Sequence, residues 1–258
     1  MAISTQQKRN ATRKLSISPQ VIKARGQPLK SSDFVRTNVD AEMLFRDVPF
    51  AKANKGYRIA LLDEGLEGQI IYSDGRRYRA EGGQIIFAPT FDSVPTRTNV
   101  LQKHAQVKIP YSPIEGSLLK DGDLIEFTIA HNRLYIDAGD NTKVLSRSIK
   151  VGKSTDILSN KELLSWPATA TNQKVFAENR LAITRKDCTS LQFLGNWTRW
   201  DNWNGASDTD GPYTPTLGCD NFDLFDIYMQ VGLKFDVAPT KDAAKVTFCQ
   251  AIIKTCGE

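Results

Sequence analysis

Apolar and polar residues alternate along several stretches of the chain, most clearly near its end. From Ile227 to Val237 every second position is apolar, and polar side chains such as Asp226, Gln230 and Lys234 stand between them. A period of two sends alternate side chains to opposite faces of a β-strand. The stretch therefore predicts a long strand with one face in a core and the other in water.

The same alternation recurs elsewhere, with few stretches of helical period between. The apolar sets are Ile125, Phe127 and Ile129; Leu145, Ile149 and Val151, with Arg147 in the series; and Val246, Phe248 and Ile252 in the last strand. Strands at this spacing, joined by turns rich in Gly, Pro, Asn and Asp, predict a mainly β protein with an antiparallel β-sandwich, preferably of jelly-roll topology. One short helix is predicted over residues 41–45, with Asp40 as its N-cap.

Residues 70–88, IIYSDGRRYRAEGGQIIFA, place two apolar runs around a charged turn. The runs 69–72 and 84–87 are rich in β-branched and aromatic residues, which predicts a strand for each. Between them, Asp74 can accept hydrogen bonds from backbone N–H groups ahead of it, and Gly75 accepts a positive φ at no steric cost. The segment therefore predicts a β-hairpin.

Three arginines, Arg76, Arg77 and Arg79, follow the hairpin turn. In an extended chain Arg77 and Arg79 share one face and leave Tyr78 on the other. We favour a structural role in the hairpin, with contacts at an interface as a secondary one. An anion-binding patch is the alternative that remains open.

The positive charge is concentrated in the first thirty residues, which hold seven basic residues and no acidic one. The net charge of the whole chain is +5, so residues 31–258 carry 5 − 7 = −2. Pro19 and Pro28 prevent a long helix or strand here, which predicts an extended basic arm. Such an arm either docks on an acidic surface or stays a solvated tail. The candidate anchoring residues are Lys8, Arg9, Arg13, Lys14, Lys23 and Arg25.

Three units are predicted along the chain. Residues 1–39 form the anchoring arm, residues 40–98 a small β module that contains the hairpin, and residues 99–258 the jelly-roll sandwich. The second boundary follows from the connector FDSVPTRTN at 91–99, which has a proline and few apolar residues.

Trp197, Trp200 and Trp203 fall within one segment that we predict to be a loop. Tryptophan faces stack well on sugars and on apolar partners, and binding residues often lie on loops of a rigid sandwich. Packing within the protein or against another subunit is the favoured interpretation, and a sugar site is the alternative. Nearby Asp208 and Asp210 match a calcium loop only weakly, because the bidentate glutamate of such loops is missing.

Metal, cofactor and catalytic chemistry find little support in the sequence. Cys188, Cys219, Cys249 and Cys256 form no C-x-x-C pair, and the two histidines stand apart from them, so no zinc spacing can be assembled. We expect no metal, no cofactor and reduced thiols, with disulfides as the second interpretation. No motif for nucleophilic or metal-assisted catalysis occurs, so we expect no enzyme. A pair of carboxylates for sugar cleavage remains open, because such a pair is recognised by the distance between the two groups in space and not by a sequence motif.

The apolar runs are too short to cross a membrane, and residues 1–14 lack the apolar core of a secretory signal. We therefore expect a soluble protein that is made in the cytoplasm and contacts no membrane.

Several segments resemble structural proteins of tailed bacteriophages. The hairpin is similar to a recurrent YSDGTRWRPVGG element, with Tyr78 where tryptophan is usual and 80–81 where Pro-Val is usual. QVKIPYSPIEGSLLKDGDLIEF is similar to an IPAGLLKDGD element with an insertion at 112–114, and VGKSTDILSN to a GTAGTTADT element. LQFLG and the segment 222–254 resemble the closing strands of the jelly-roll domain of these proteins. The resemblance spans residues 57–258, and the segments occur in the same order.

The resemblance implies a non-enzymatic virion appendage: a head fibre, a capsid decoration, or a neck or tail fibre. Such a protein is typically a homotrimer attached by its arm to capsid, portal, neck or tail proteins, so the expected location is the virion after synthesis in the host cytoplasm. Flexible arms that order on docking gain avidity in a trimer. Two alternatives remain: a module that binds host surface glycan through the tryptophans, and nucleic-acid binding through the arm.

Overall fold

The structure is a computed structural model of the 258-residue chain. It describes residues 15–17, 34–36, 39–91, 94–135, 145–167, 176–201 and 216–255. Within these ranges the chain is mainly β. The strands are β1 (Leu15–Ile17), β2 (Phe34–Arg36), β3 (Ala41–Met43), β4 (Arg58–Leu61), β5 (Ile70–Ser73), β6 (Tyr78–Ala80), β7 (Gln84–Phe87), β8 (Thr90–Phe91), β9 (Gln102–Ile109), β10 (Tyr111–Ser112), β11 (Gly116–Ser117), β12 (Leu124–Tyr135), β13 (Leu145–Gly152), β14 (Lys161–Pro167), β15 (Phe176–Asp187), β16 (Ser190–Asp201), β17 (Thr216–Gly218), β18 (Ile227–Phe235) and β19 (Ala243–Lys254). Short 3₁₀ turns span Phe45–Asp47, Ala51–Ala53 and Ile157–Ser159.

Two large antiparallel sheets dominate the described residues. One is six-stranded, in the order β17-β16-β15-β12-β19-β7, and the other is five-stranded, in the order β14-β13-β18-β9-β8. A smaller sheet has the order β3-β4-β5-β6, in which β3 runs parallel to β4. Two-stranded pairs join β1 to β2 and β10 to β11. The expectation of a β-rich, antiparallel protein is thus confirmed.

The core lies between the two large sheets. Ile125, Phe127 and Ile129 of β12 are at most 1% exposed and belong to the same apolar cluster as Met229 and Val231 of β18. Their alternation with polar neighbours confirms both strands predicted from the period-two pattern. The small sheet contributes buried side chains to the same apolar cluster. Its contributions include Ile59, Leu61, Ile71 and Tyr78.

The segment 70–88 forms three strands, which corrects the predicted hairpin. Both apolar runs are strands, but β5 pairs with β6 around the charged turn. Strand β7 instead pairs with β19, at the edge of the six-stranded sheet. Tyr78, at the start of β6, is 3% exposed, so its burial favours a strand immediately after the turn.

The last strand also departs from its predicted facing. Val246 is buried, but the register of β12 and β19 shifts between Ala130 and His131, where Thr247 forms a bulge. A bulge inserts one residue and reverses the facing of the residues beyond it. As a result Phe248 is 45% exposed and Ile252 half-buried, while the inward positions pass to Cys249, Ala251 and Ile253.

The helix predicted over residues 41–45 is wrong. Residues 41–43 form β3, which pairs in parallel with β4. Asp40 does cap a backbone group, but its Oδ2 accepts from the N–H of Arg58 at 2.8 Å rather than from a helix. Sheet pairing with a nearby strand therefore prevails over a weak local preference.

The division of residues 40–258 into two domains, 40–98 and 99–258, stays a prediction. Hydrogen bonding crosses their boundary, because β7 pairs with β19 and β8 with β9. Of the predicted arm, residues 15–17 and 34–36 form the β1–β2 pair, and the other residues before 39 lie outside the described ranges.

Candidate functional site: a charged cleft and an outer trough

The turn between β5 and β6 is built by Asp74. Its Oδ1 accepts from the backbone N–H groups of Arg76 at 2.7 Å and Arg77 at 2.9 Å, and Gly75 has a φ of 92°. This is the side-chain-to-backbone turn that the Asp-Gly sequence predicts. It fixes the directions in which the three arginines leave the hairpin.

Two of these arginines form ion pairs. Arg79 Nε lies 2.5 Å from Asp74 Oδ2, and Arg77 Nη1 lies 3.0 Å from the fully buried Asp123. Burial raises the pKa of Asp74, but the hydrogen bonds from Arg79, Arg77 and Arg76 outweigh it and lower this pKa to about 2. The structural interpretation of the hairpin is therefore supported for Arg77 and Arg79, whereas Arg76 is exposed.

Other charged groups extend these pairs into a cleft of about 660 Å³ between the hairpin and the sandwich. Arg185, 2% exposed, contacts Asp223 at 2.5 Å and Asp121 at 2.7 Å. Lys120 donates to the backbone carbonyl of Glu115, and burial lowers its pKa. Arg77, Arg79 and Arg185 each lie within ion-pair distance of a carboxylate, so the cleft is an ion-pair network more than an anion site. Sequence reasoning missed it because its members come from distant parts of the chain.

A second concave surface, which we call the outer trough, lies on the face of the six-stranded sheet that points away from the core. It encloses about 950 Å³. Its lining residues come from β12, β15, β16 and β19: Glu126, Thr128, Ala130, Glu178, Arg180, Leu181, Ala182, Gly195, Thr247, Phe248, Gln250 and Ile252. Ile86 of β7 continues this face, since it pairs in register with Ile252.

The outer trough combines paired charges with exposed apolar groups. Arg180 Nε lies 3.0 Å from a Glu178 oxygen, and Lys254 Nζ lies 2.5 Å from a Glu126 oxygen. Phe248 is 45% exposed in its wall. Such a surface can bind a partner of mixed polarity, and the side chains described in its lining include no activated nucleophile and no isolated acid–base pair.

The predicted tryptophan loop is corrected in part. Trp197 and Trp200 lie within β16, where the backbone register pairs them with Arg180 and Ala177 of β15. Trp203 lies outside the described residues, as do Asp208 and Asp210. The candidate anchoring residues of the arm lie outside them too: Lys8, Arg9, Arg13, Lys14, Lys23 and Arg25.

The charge that interrupts the apolar series of β13 is buried between the large sheets. Arg147 is 1% exposed, and its Nη1 lies 3.1 Å from Nδ1 of His131, which is fully buried. Burial lowers the pKa of Arg147 to about 9. Burial, followed by the charge of Arg147, holds the pKa of His131 well below 6.5. His131 is therefore neutral and accepts a hydrogen bond from Arg147.

The cysteines within the described ranges are free thiols. Cys219 and Cys249 are buried and Cys188 is half-buried, while Cys256 lies beyond those ranges. Burial raises the pKa of Cys219 to about 12, which suppresses thiolate chemistry. The described part of the chain contains no group of three or more metal-ligating side chains, and no helix there could span a bilayer.

Comparison with known proteins gives no assignment. The chain matches no protein-family model, no curated protein and no solved structure.

Proposed function

We propose that this chain is a non-enzymatic structural component of a tailed-bacteriophage virion, an appendage anchored to the particle by its basic N-terminal arm. One observation carries the proposal. Two of the segments that resemble such proteins, SDGRR and LLKDGD, contact each other through Arg77 and the buried Asp123. Two short resemblances that join in one buried ion pair support a shared structural unit, because chance matches would have no reason to meet.

We also propose a jelly roll for the sandwich. Strands β7, β19, β12 and β15 are neighbours in one sheet, and β9, β18, β13 and β14 are neighbours in the other. The chain therefore passes between the sheets from β9 to β12, from β12 to β13, and again from β14 to β15 and from β18 to β19. This repeated crossing of two antiparallel sheets is the pattern expected of a jelly roll.

In the proposed role the protein is a homotrimer, and its arms contact capsid, portal, neck or tail proteins. Three weakly binding arms on one trimer give lasting attachment through effective concentration. The anchoring residues proposed for these contacts are Lys8, Arg9, Arg13, Lys14, Lys23 and Arg25, and the exposed Arg76 is a secondary candidate for an interface contact.

Mass spectrometry of gradient-purified virions tests the proposal, using the virus whose genome encodes the chain. We expect peptides of this protein in intact particles at a fixed ratio to the major capsid protein. A full-length variant with the six candidate anchoring residues changed to Gln should no longer sediment with particles that lack the protein. Lys52→Gln, an exposed cation outside the arm and the outer trough, should still do so. Absence from purified particles would reject the virion role.

A second candidate function is binding of host surface glycan. The outer trough favours it, since carboxylates, Arg180 and Gln250 line the same trough as the exposed ring of Phe248. Polar groups that fix hydroxyls next to an aromatic face are suited to a sugar. Binding to a glycan array that is lost in Arg180→Ala and Gln250→Ala would support this alternative.

A further inference from the structure

We infer that the outer trough is the surface through which copies of this chain associate with one another. The inference rests on the proposed function for its expectation of a homo-oligomer and adds the surface that forms it. Its starting point is the unequal character of the two outer sheet faces.

The outer face of the five-stranded sheet is polar. Between the buried residues of β13, β18 and β9, the outward positions are Ser148, Lys150, Tyr228, Gln106 and Lys108. The chain itself covers part of this face: Ser148 is 2% exposed, and Gln230 is fully buried and donates to the backbone carbonyl of Thr155. The five-stranded sheet therefore has no need of a partner on this side.

The outer face of the six-stranded sheet differs at equivalent positions. Ile86 is 40% exposed and Phe248 45%, and Ile252 lies in register with Ile86 between β7 and β12. Small residues, Ala182 and Gly195, lie across the sheet from them and leave the trough open. A contiguous exposed apolar surface of this kind is typical of an interaction site.

The bulge at Thr247 is what exposes this surface. In a regular strand Phe248 would face inward like Val246, two positions before it, but the bulge pairs Phe248 with Ala130 and turns it outward. Removing exposed apolar surface from water is favourable in proportion to the area that is covered. A partner that covers Phe248 and Ile252 recovers this favourable contribution.

The charges of the trough favour an identical copy as that partner. Glu126 is paired with Lys254 and Glu178 with Arg180 within one chain, so two anions and two cations leave the face without net charge. Two such faces meet without like-charge repulsion, whereas a nucleic acid or an anionic lipid surface would find no excess positive charge to bind. Faces without net charge can therefore pack around the three-fold axis of the proposed homotrimer.

The neighbouring sheet edge does not offer a competing route. The side-chain amide of Gln69 hydrogen-bonds the N–H and the carbonyl of Ile86 on the side of β7 that faces away from β19. These groups are therefore not available to a strand from another copy. At Ile86 the edge of β7 is therefore less suited to association than the face of the sheet.

Sedimentation velocity of the full chain tests the inference. Protein concentrations from about 1 to 100 µM bracket the dissociation constants of ordinary oligomers. The monomer mass is 28.8 kDa. We expect the wild type to sediment as an oligomer, and Phe248→Arg and Ile252→Arg each to dissociate at concentrations at least tenfold higher than the wild type. The matched control is Leu158→Arg, because Leu158 is 55% exposed on the turn beside the other sheet and should leave the oligomer unchanged.

Circular dichroism at each concentration confirms that the variants are folded. If Phe248→Arg and Ile252→Arg keep the mass of the wild type, or if the wild type is a monomer throughout, the inference is wrong. A monomer that binds glycan and loses this binding in Phe248→Arg would make the trough a sugar site. None of these outcomes alters the virion measurement, so the proposed function and this surface can fail separately.

Discussion

The side-chain amide of Gln69 takes the place of a neighbouring strand for Ile86. Gln69 Oε1 accepts from the N–H of Ile86 at 2.8 Å, and its Nε2 donates to the carbonyl of the same residue. Two groups that would otherwise be exposed on an edge strand are satisfied by one side chain, which blunts the edge against pairing with other chains.

We expect Gln69→Ala to lower the free energy of unfolding by about 1 kcal/mol, because two partly exposed hydrogen bonds are lost. The larger effect should be on solubility, since the edge of β7 becomes available for pairing. Urea denaturation and light scattering on incubation measure the two effects. Glu67→Ala, an exposed change in the same loop, should affect neither. Equal scattering from both variants would contradict the protective role of the amide.

The ion pair between Arg77 and Asp123 should contribute far more than those at the surface. Asp123 is fully buried and also accepts from the N–H of Lys120 at 2.9 Å. We expect Asp123→Ala to cost about 3–5 kcal/mol, because it leaves a desolvated guanidinium without its carboxylate. Glu178→Ala, which breaks the pair with the 65% exposed Arg180, should cost less than about 1 kcal/mol. Chemical denaturation of both variants makes the comparison, and similar losses would refute it.

Gly65 and Gly82 both have positive φ, 78° and 89°, but their surroundings differ. A Cβ at Gly65 would lie 2.3 Å from the carbonyl oxygen of Ala88, whereas nothing lies within 4 Å of one at Gly82. Gly82→Ala should cost about 1 kcal/mol for the backbone conformation alone. Gly65→Ala adds a clash with backbone and should cost at least about 2 kcal/mol more. Thermal denaturation measures the difference, and equal melting temperatures would show that the loop relaxes freely.

The stability of the protein should fall with acid through His131. Its pKa is held below 6.5 in the folded state by burial and by Arg147, so between the two pKa values the unfolded chain binds the extra proton. Stability therefore decreases as the pH falls below 6.5, with a slope of up to about 1.4 kcal/mol per pH unit for one group. Urea denaturation from pH 7.5 to 5 measures it. His131→Gln, which can still accept from Arg147, should flatten this part of the profile, and an unchanged slope would exclude His131 as its source.

Strands with regular alternation could be predicted from the sequence, and the turn at Asp74 could be predicted from its local chemistry. The pairing of β7 could not, because apolar periodicity states which face is buried and not which strand is the neighbour. Proximity in sequence suggested β5, but β7 pairs with β19 instead.

The charged cleft and the outer trough were beyond prediction for related reasons. Arg185 and Asp223 meet across 38 positions of sequence, a relation that no short motif carries. Phe248 was assigned to the core because it is apolar, whereas one inserted residue turned it outward. Because the sequence pattern did not reveal the bulge, regular alternation predicted a buried position for an apolar residue that the bulge exposes.

The pairing of β7 with β19 also means that β7 is synthesised well before the strand with which it pairs. β7 leaves the ribosome roughly 150 residues before its neighbour, which at typical elongation rates is about 8–30 s. Throughout this interval β7 has its contact with the loop at Gln69 but lacks its neighbouring strand. The six-stranded sheet lacks β19, the strand between β12 and β7. The six-stranded sheet is therefore completed only when its last described strand, β19, has been synthesised.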